Sequence, residues 1–206
     1  NSGKILYKKN TKEIRSIASI TKLMTALVFL DYNPGWQKEF STKSSDRRNG
    51  GIIHLNTGEI LTIKNLFLTA LISSDNDAAM ALARSTGLSE KAFIAEMNKK
   101  AKKIGLETAA FVDPTGLAQA NQATAEDIVK LVNIALTKPD IQKATSTNYY
   151  EFEVKNKDKT RIVELRNTDW LTNSYLDLIG GKTGFIEKAG HCLAVKIKGE
   201  KDQEII

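Results

Sequence analysis

The chain has 206 residues, 41% hydrophobic and 26% charged, with 13 Gly and 3 Pro; this globular composition excludes a disordered or fibrous chain. A single cysteine, Cys192, excludes an internal disulfide, and two histidines leave a Cys/His zinc site nearly excluded. No apolar run approaches the roughly 20 residues that span a bilayer, and the net charge of +6 suits an anionic polymer, nucleic acid or membrane but is also common in proteins that bind none of these. No signal peptide opens the sequence, which leaves a cytoplasmic protein or a processed chain.

Asn1–Lys4 reads as a turn and Ile5–Lys8 as a short strand. Residues 17–31 form an apolar-rich helical segment beginning near Ser19, in which Leu23, Met24, Leu27, Val28 and Leu30 cover most of the circumference; such a helix belongs in the middle of a protein. Asn33-Pro34-Gly35 ends it. Residues 36–63 read as irregular, with turn signals at Asn49-Gly50-Gly51 and Asn56-Thr57-Gly58. A helix follows from about Lys64 to Ile72, breaks at Ser73-Ser74-Asp75 and resumes through Ala78 to Arg84. Ser89 caps the next helix, which ends at Gly105. Its lysines (Lys99, Lys100, Lys102, Lys103) lie mainly opposite the face of Phe93, Met97, Ala101 and Ile104, a solvated surface rather than a binding patch. Thr124-Ala125-Glu126-Asp127 resembles a capping box for a helix reaching Leu136 and stopped by Pro139.

After residue 145 the pattern changes to alternation. Tyr150, Phe152 and Val154 mark a half-buried strand, residues 156–159 a turn, and Thr160–Leu165 the returning strand. Leu178–Phe185 and His191–Lys198 read as a further antiparallel pair, Gly199–Asp202 as a turn, and Ile205-Ile206 as the opening of another strand. The expected class is α+β: one antiparallel sheet flanked by helices plus a mainly helical lobe (about 31–145), in a single catalytic domain cut short at both ends.

Three short motifs carry chemistry. In Ser19-Ile20-Thr21-Lys22, positions i and i+3 share a helix face, so hydroxyl and amine adjoin. Burial makes a lysine easier to deprotonate, and a neutral lysine can take the serine's proton without any histidine. With 12 Ser and 24 Lys, chance alone supplies about 1.4 such spacings, so the motif means little by itself. Ser74-Asp75-Asn76 falls in the break between two helices, where Ser74 can relay a proton and Asn76 can hold a substrate amide. Lys182-Thr183-Gly184 lies on a strand; Lys182 adds positive charge that would lower the pKa of Lys22 and attract a carboxylate, and Gly184 allows close approach of a backbone. All three in this order arise by chance about 0.04 times.

Together with Asp113-Pro114-Thr115-Gly116-Leu117 and Gly181-Lys182-Thr183-Gly184-Phe185, these segments resemble the D-alanyl-D-alanine carboxypeptidases, the low-molecular-mass penicillin-binding proteins, over nearly the whole chain. The resemblance implies a β-lactamase/transpeptidase-like fold. It implies Ser19 as acylated nucleophile, Lys22 as base, Ser74 as catalytic partner, and Asn76, Lys182, Thr183, Gly184 and Phe185 as substrate-binding positions. The backbone N–H groups of Ser19 and Phe185 would form the oxyanion hole. It further implies peptidoglycan stem peptides as substrate, β-lactam antibiotics as covalent inhibitors, no cofactor, no metal, no nucleic acid, no membrane span in this chain, and an extracytoplasmic location. Removal of the terminal D-Ala is the expected reaction. Cleavage of cross-links is the alternative, since Arg166-Asn167-Thr168 and Ala189-Gly190-His191-Cys192 are similar to the endopeptidase branch.

Competing readings are weaker. A β-lactamase of this architecture needs a glutamate in Glu-x-x-Leu-Asn; the one Leu-Asn here is Leu55-Asn56, preceded at the required position by Ile52. Neither His54 nor His191 is tied to a nucleophile elbow. Cys192 in an apolar strand reads as a small hydrophobe, Ser146-Thr147-Asn148 as the lead into a strand, and Asp113–Gly116 as a turn.

Overall fold

The computed structural model describes residues 3–200 and 203–206, so the expected turns at 1–4 and 199–202 lie partly outside the described residues. At its centre is helix α1, Thr21–Asp31, of which every residue from Thr21 to Phe29 is buried. It is apolar nearly all round because helices α2 (Ile63–Ile72), α3 (Asn76–Ser85), α4 (Glu90–Lys103) and α5 (Ala125–Ala135) all pack on it. One continuous hydrophobic core runs from Ile17 to Ala194. Phe29, Trp36 and Phe67 form an aromatic trio within it, with centroids 5.2–5.6 Å apart.

The helix ends follow their sequence signals. The side chains of Thr62, Asp75, Ser89 and Thr124 each accept the N–H three residues on, capping α2, α3, α4 and α5. The capping box at Thr124 is only half built, because Asp127 turns to the backbone of Glu107, Thr108 and Ala109 instead. Pro139 does not stop α5, which ends at Ala135. It opens a further helix, α6 (Pro139–Ser146), at the first helical position, where a missing N–H costs nothing.

Among the described residues the strands form three antiparallel sheets. Strands β1 (Arg15–Ser16) and β4 (Gln122–Ala123) make a short ribbon just before α1. The hairpin β5 (Tyr149–Asn156) and β6 (Lys159–Arg166) joins β3 (Ile60–Thr62), which pairs with β2 (Glu39–Ser41). The region 36–63 is thus not wholly irregular: it holds two three-residue strands, too short to show an alternating pattern. The third sheet is β7 (Asp177–Ile186), β8 (Gly190–Lys198) and β9 (Glu204–Ile205). Residues 5–8 form no strand, since no described strand lies beside them to pair with, and Ile5, Leu6 and Tyr7 are exposed.

Candidate active site

Four segments far apart in sequence meet at the N-terminal end of α1. Ser19 lies in a single 3₁₀ turn, Ala18–Ile20, that leads into α1. Ala18 just before it is held in the left-handed region, φ 45°, which costs a non-glycine residue about 1 kcal/mol or more and marks a conformation imposed by its surroundings. Two glycines let neighbouring segments press against it. A Cβ on Gly184 of β7 would stand 2.7 Å from the backbone N of Ser19 and 2.9 Å from the Cβ of Ala18. A Cβ on Gly116 would overlap the carbonyl of Ala18. Ser19 is therefore clamped between a strand and a turn, both pressed to backbone distance.

Lys22, one turn on, is buried to 1% exposure. Its Nζ donates to Ser19 Oγ at 3.0 Å, Asn76 Oδ1 at 2.7 Å and the carbonyl of Thr115 at 2.8 Å. Burial lowers its pKa from 10.5 to about 7, against the opposing pull of the Asp75 and Asp113 carboxylates. Lys182, buried beside it, has its pKa pushed well below the ordinary value as well, first by burial and then by the mutual repulsion of the two lysines, with Asp169 opposing.

The break between α2 and α3 presents Ser74 with φ 59°, partly exposed and with no side-chain partner among the described residues. Asp75, fully buried, caps α3 and accepts from the backbone N and Nδ1 of His54. Asn76 accepts from Lys22 and donates from Nδ2 to the carbonyl of Gly50 at 2.9 Å, so both ends of its amide are engaged by the protein and one Nδ2 hydrogen remains.

On β7, Lys182 is buried to 1% exposure and donates to the Thr183 carbonyl, while the hydroxyls of Thr183 and Thr168 lie 2.5 Å apart. Phe185 is more than half exposed, its ring against His191.

Sequence reasoning missed the turn at 113–118 as a part of the site. Asp113 accepts from the N–H groups of Thr115, Gly116 and Ala118, the Thr115 hydroxyl and the Asn121 amide. Burial raises the Asp113 pKa, but these bonds outweigh it and hold the carboxyl below its usual range. The turn they build delivers the Thr115 carbonyl to Lys22 and the Pro114 carbonyl to Thr25 Oγ1. The sequence signal was an aspartate two residues before Thr-Gly, a side chain able to fold the backbone over itself. The remaining candidates lie apart from this hydrogen-bond network. His54 serves Asp75, and the half-buried Cys192 thiol has its pKa raised by burial, which makes it a poor nucleophile.

The family described as D-alanyl-D-alanine carboxypeptidase matches residues 1–206. A D-alanyl-D-alanine endopeptidase of Escherichia coli is 35% identical over 95% of this chain and 64% of its own length. The corresponding endopeptidase of Pseudomonas aeruginosa is 33% identical over 95% and 64%, and the D-alanyl-D-alanine carboxypeptidase DacF of Bacillus subtilis 34% over 96% and 52%. The chain thus spans between half and two thirds of these relatives. The crystal structure of a Streptomyces DD-transpeptidase superposes with a TM-score of 0.88 at 28% identity, covering 97% of this chain and 82% of that one.

Proposed function

Because the chain belongs to the D-alanyl-D-alanine carboxypeptidase family, we propose that it is a serine DD-peptidase acting on peptidoglycan stem peptides through an acyl-enzyme on Ser19. The observation that carries this reading is the 3.0 Å hydrogen bond between Ser19 Oγ and a buried Lys22 whose pKa is about 7. An amine that is half neutral near neutral pH can take the hydroxyl proton as Oγ attacks the carbonyl of the penultimate D-Ala. The backbone N–H groups of Ser19 and Phe185 then receive the developing oxyanion. The proton passes through Ser74 to the leaving nitrogen, the C–N bond breaks, and D-Ala departs. Water attacks the ester with Lys22 again as base, restoring the Ser19 hydroxyl. Lys182 and Thr183 take the substrate's terminal carboxylate, Gly184 lets the peptide lie along β7, and Asn76 contributes its remaining amide hydrogen to the substrate backbone.

Carboxypeptidase action is the main reading. Cleavage of cross-links is a second one, favoured by the names of the Escherichia and Pseudomonas relatives. Either substrate places the working enzyme on the cell-wall side of a bacterial membrane, and among the described residues no helix is long and apolar enough to cross one.

The test is intact mass after incubation with a penicillin, whose strained lactam mimics the D-Ala-D-Ala amide. One covalent equivalent on Ser19 is expected, and none on Ser19→Ala. An adduct that persists in that variant, or maps to Cys192, overturns the assignment.

A further inference from the structure

Ser74 stands in the left-handed region, φ 59°, where a residue with a Cβ stays only if its neighbours fix it there. On its N-terminal side α2 runs up to Ile72, the Ser73 hydroxyl donates to the Thr69 carbonyl, and the Thr168 N–H donates to the carbonyl of Ile72. On its C-terminal side the backbone is held through Asp75, 1% exposed. The Asp75 carboxylate accepts from the Ala78 N–H at 2.8 Å through Oδ1. Through Oδ2 it accepts from the His54 backbone N–H at 2.9 Å and from His54 Nδ1 at 3.1 Å. A carboxylate oxygen accepts, so Nδ1 is the ring nitrogen that carries the hydrogen.

The segment that carries His54 straddles the Ser74-Asp75-Asn76 turn. Four residues before it, the Gly50 carbonyl accepts from Asn76 Nδ2, so residues 50–54 grip Asn76 at one end and Asp75 at the other. The backbone of His54 is anchored without its imidazole. Arg161 Nη2 donates to the His54 carbonyl at 2.7 Å while the same guanidinium holds Glu59, and Leu55 is buried in the core. The other carboxylate in the first turn of α3 is committed elsewhere, since Asp77 accepts from Arg47 and from the Arg48 N–H. Among the described residues, Asp75 is the hydrogen-bond partner of the largely buried His54 ring.

We infer that His54 is a positioning residue: its Nδ1–H fixes the Asp75 carboxylate, and Asp75 in turn sets the backbone that aims the Ser74 hydroxyl at the leaving nitrogen. It acts through Asp75 and not on the substrate. The inference rests on the DD-peptidase reading, and the experiment separates the two. An amide nitrogen must gain a proton as its C–N bond breaks, whereas a thioester expels a thiolate that needs none. A misplaced Ser74 therefore slows the amide selectively, while loss of folded protein or a poorer base at Lys22 slows both substrates alike.

Acylation of the full chain is followed with benzylpenicillin, whose lactam nitrogen must be protonated as the ring opens, and with an N-acyl-D-alanyl thioglycolate thioester. In His54→Ala, acylation by the penicillin is expected to fall at least about tenfold and by the thioester less than about threefold. His54→Asn can donate a side-chain N–H from near the Nδ1 position and is expected to bring the penicillin rate back to within about threefold of the wild type. Arg47→Gln breaks the neighbouring ion pair on α3 without touching Asp75 and is expected to leave the lactam-to-thioester ratio in place. If His54→Ala does not fold, His54→Phe carries the same comparison, keeping a ring without a donor. Equal losses on both compounds, no recovery in His54→Asn, or an equal change of ratio in Arg47→Gln overturns the proposal. No acylation of the wild type by either compound overturns the DD-peptidase reading instead.

Discussion

Replacing Lys22 with methionine keeps an unbranched side chain one atom shorter and removes the amine. In the fold Lys22 has a pKa of about 7 against an ordinary 10.5. Below pH 10.5 the unfolded chain holds that proton more tightly than the native one does. Burial of the amine therefore costs stability, most of all below pH 7, and the cost fades as pH rises towards 10.5. At about 1.4 kcal/mol per unit, it is about 4 kcal/mol near pH 7 and about 1 kcal/mol near pH 9.5. Methionine escapes this cost but leaves Asn76 Oδ1 and the Thr115 carbonyl without their donor, at roughly 1–3 kcal/mol each at any pH. Near pH 7 the two effects nearly cancel, so Lys22→Met is expected to be about as stable as the wild type while taking no penicillin adduct. Near pH 9.5 the wild type should have gained about 3 kcal/mol on the variant. Urea unfolding of both proteins across that range reads the difference directly. Parallel stability curves would refute the claim that burial sets the state of this amine.

Acylation of the wild type should rise with pH through about 7 as Lys22 loses its proton, and Lys22→Arg, which cannot deprotonate, should acylate at least about 10²-fold more slowly; a near-normal rate would mean another group takes the proton. Gly184→Val should displace β7 from Ser19 N and slow acylation by at least about 10²-fold, read by stopped-flow labelling with a fluorescent penicillin. Asp113→Ala should lower stability by roughly 3–5 kcal/mol through loss of its network, measured by denaturant unfolding. The penicilloyl ester should persist for minutes or longer, followed by mass, because its leaving group stays tethered and no Glu-x-x-Leu-Asn carboxylate is present; rapid steady-state hydrolysis would favour a β-lactamase.

Where function depends on neighbours in sequence, the chain was readable. Ser19 and Lys22 are one helical turn apart, and the antiparallel pairing of β7 with β8 follows from alternation and the turn between them. The class of fold was legible for the same reason, because long helices and hairpins announce themselves by period. Two kinds of feature were not. β2, β3 and α6 are short, and Pro139 is compatible both with stopping one helix and with starting the next. The contributions of Thr115 and Gly116 arise only when strand, turn and helix are brought to backbone contact. The aspartate before Thr115-Gly116 announces a turn at 113–118, but that the turn feeds a carbonyl to Lys22 is visible only in the folded chain.

The scatter of Lys22's partners along the chain has a consequence for the molecule's history. Asn76 lies 54 positions away and Thr115 93, and the burial that neutralises the amine requires α2 to α5 to be in place around α1. An unfolded chain carries an ordinary, protonated lysine beside an ordinary serine, and contacts of such long separation form late. The proposed reactivity towards amides and lactams would thus be absent during synthesis and any passage in extended form, arriving only with the completed core. On the proposed function, the newborn chain is chemically quiet and gains its reactivity only by closing around Ser19.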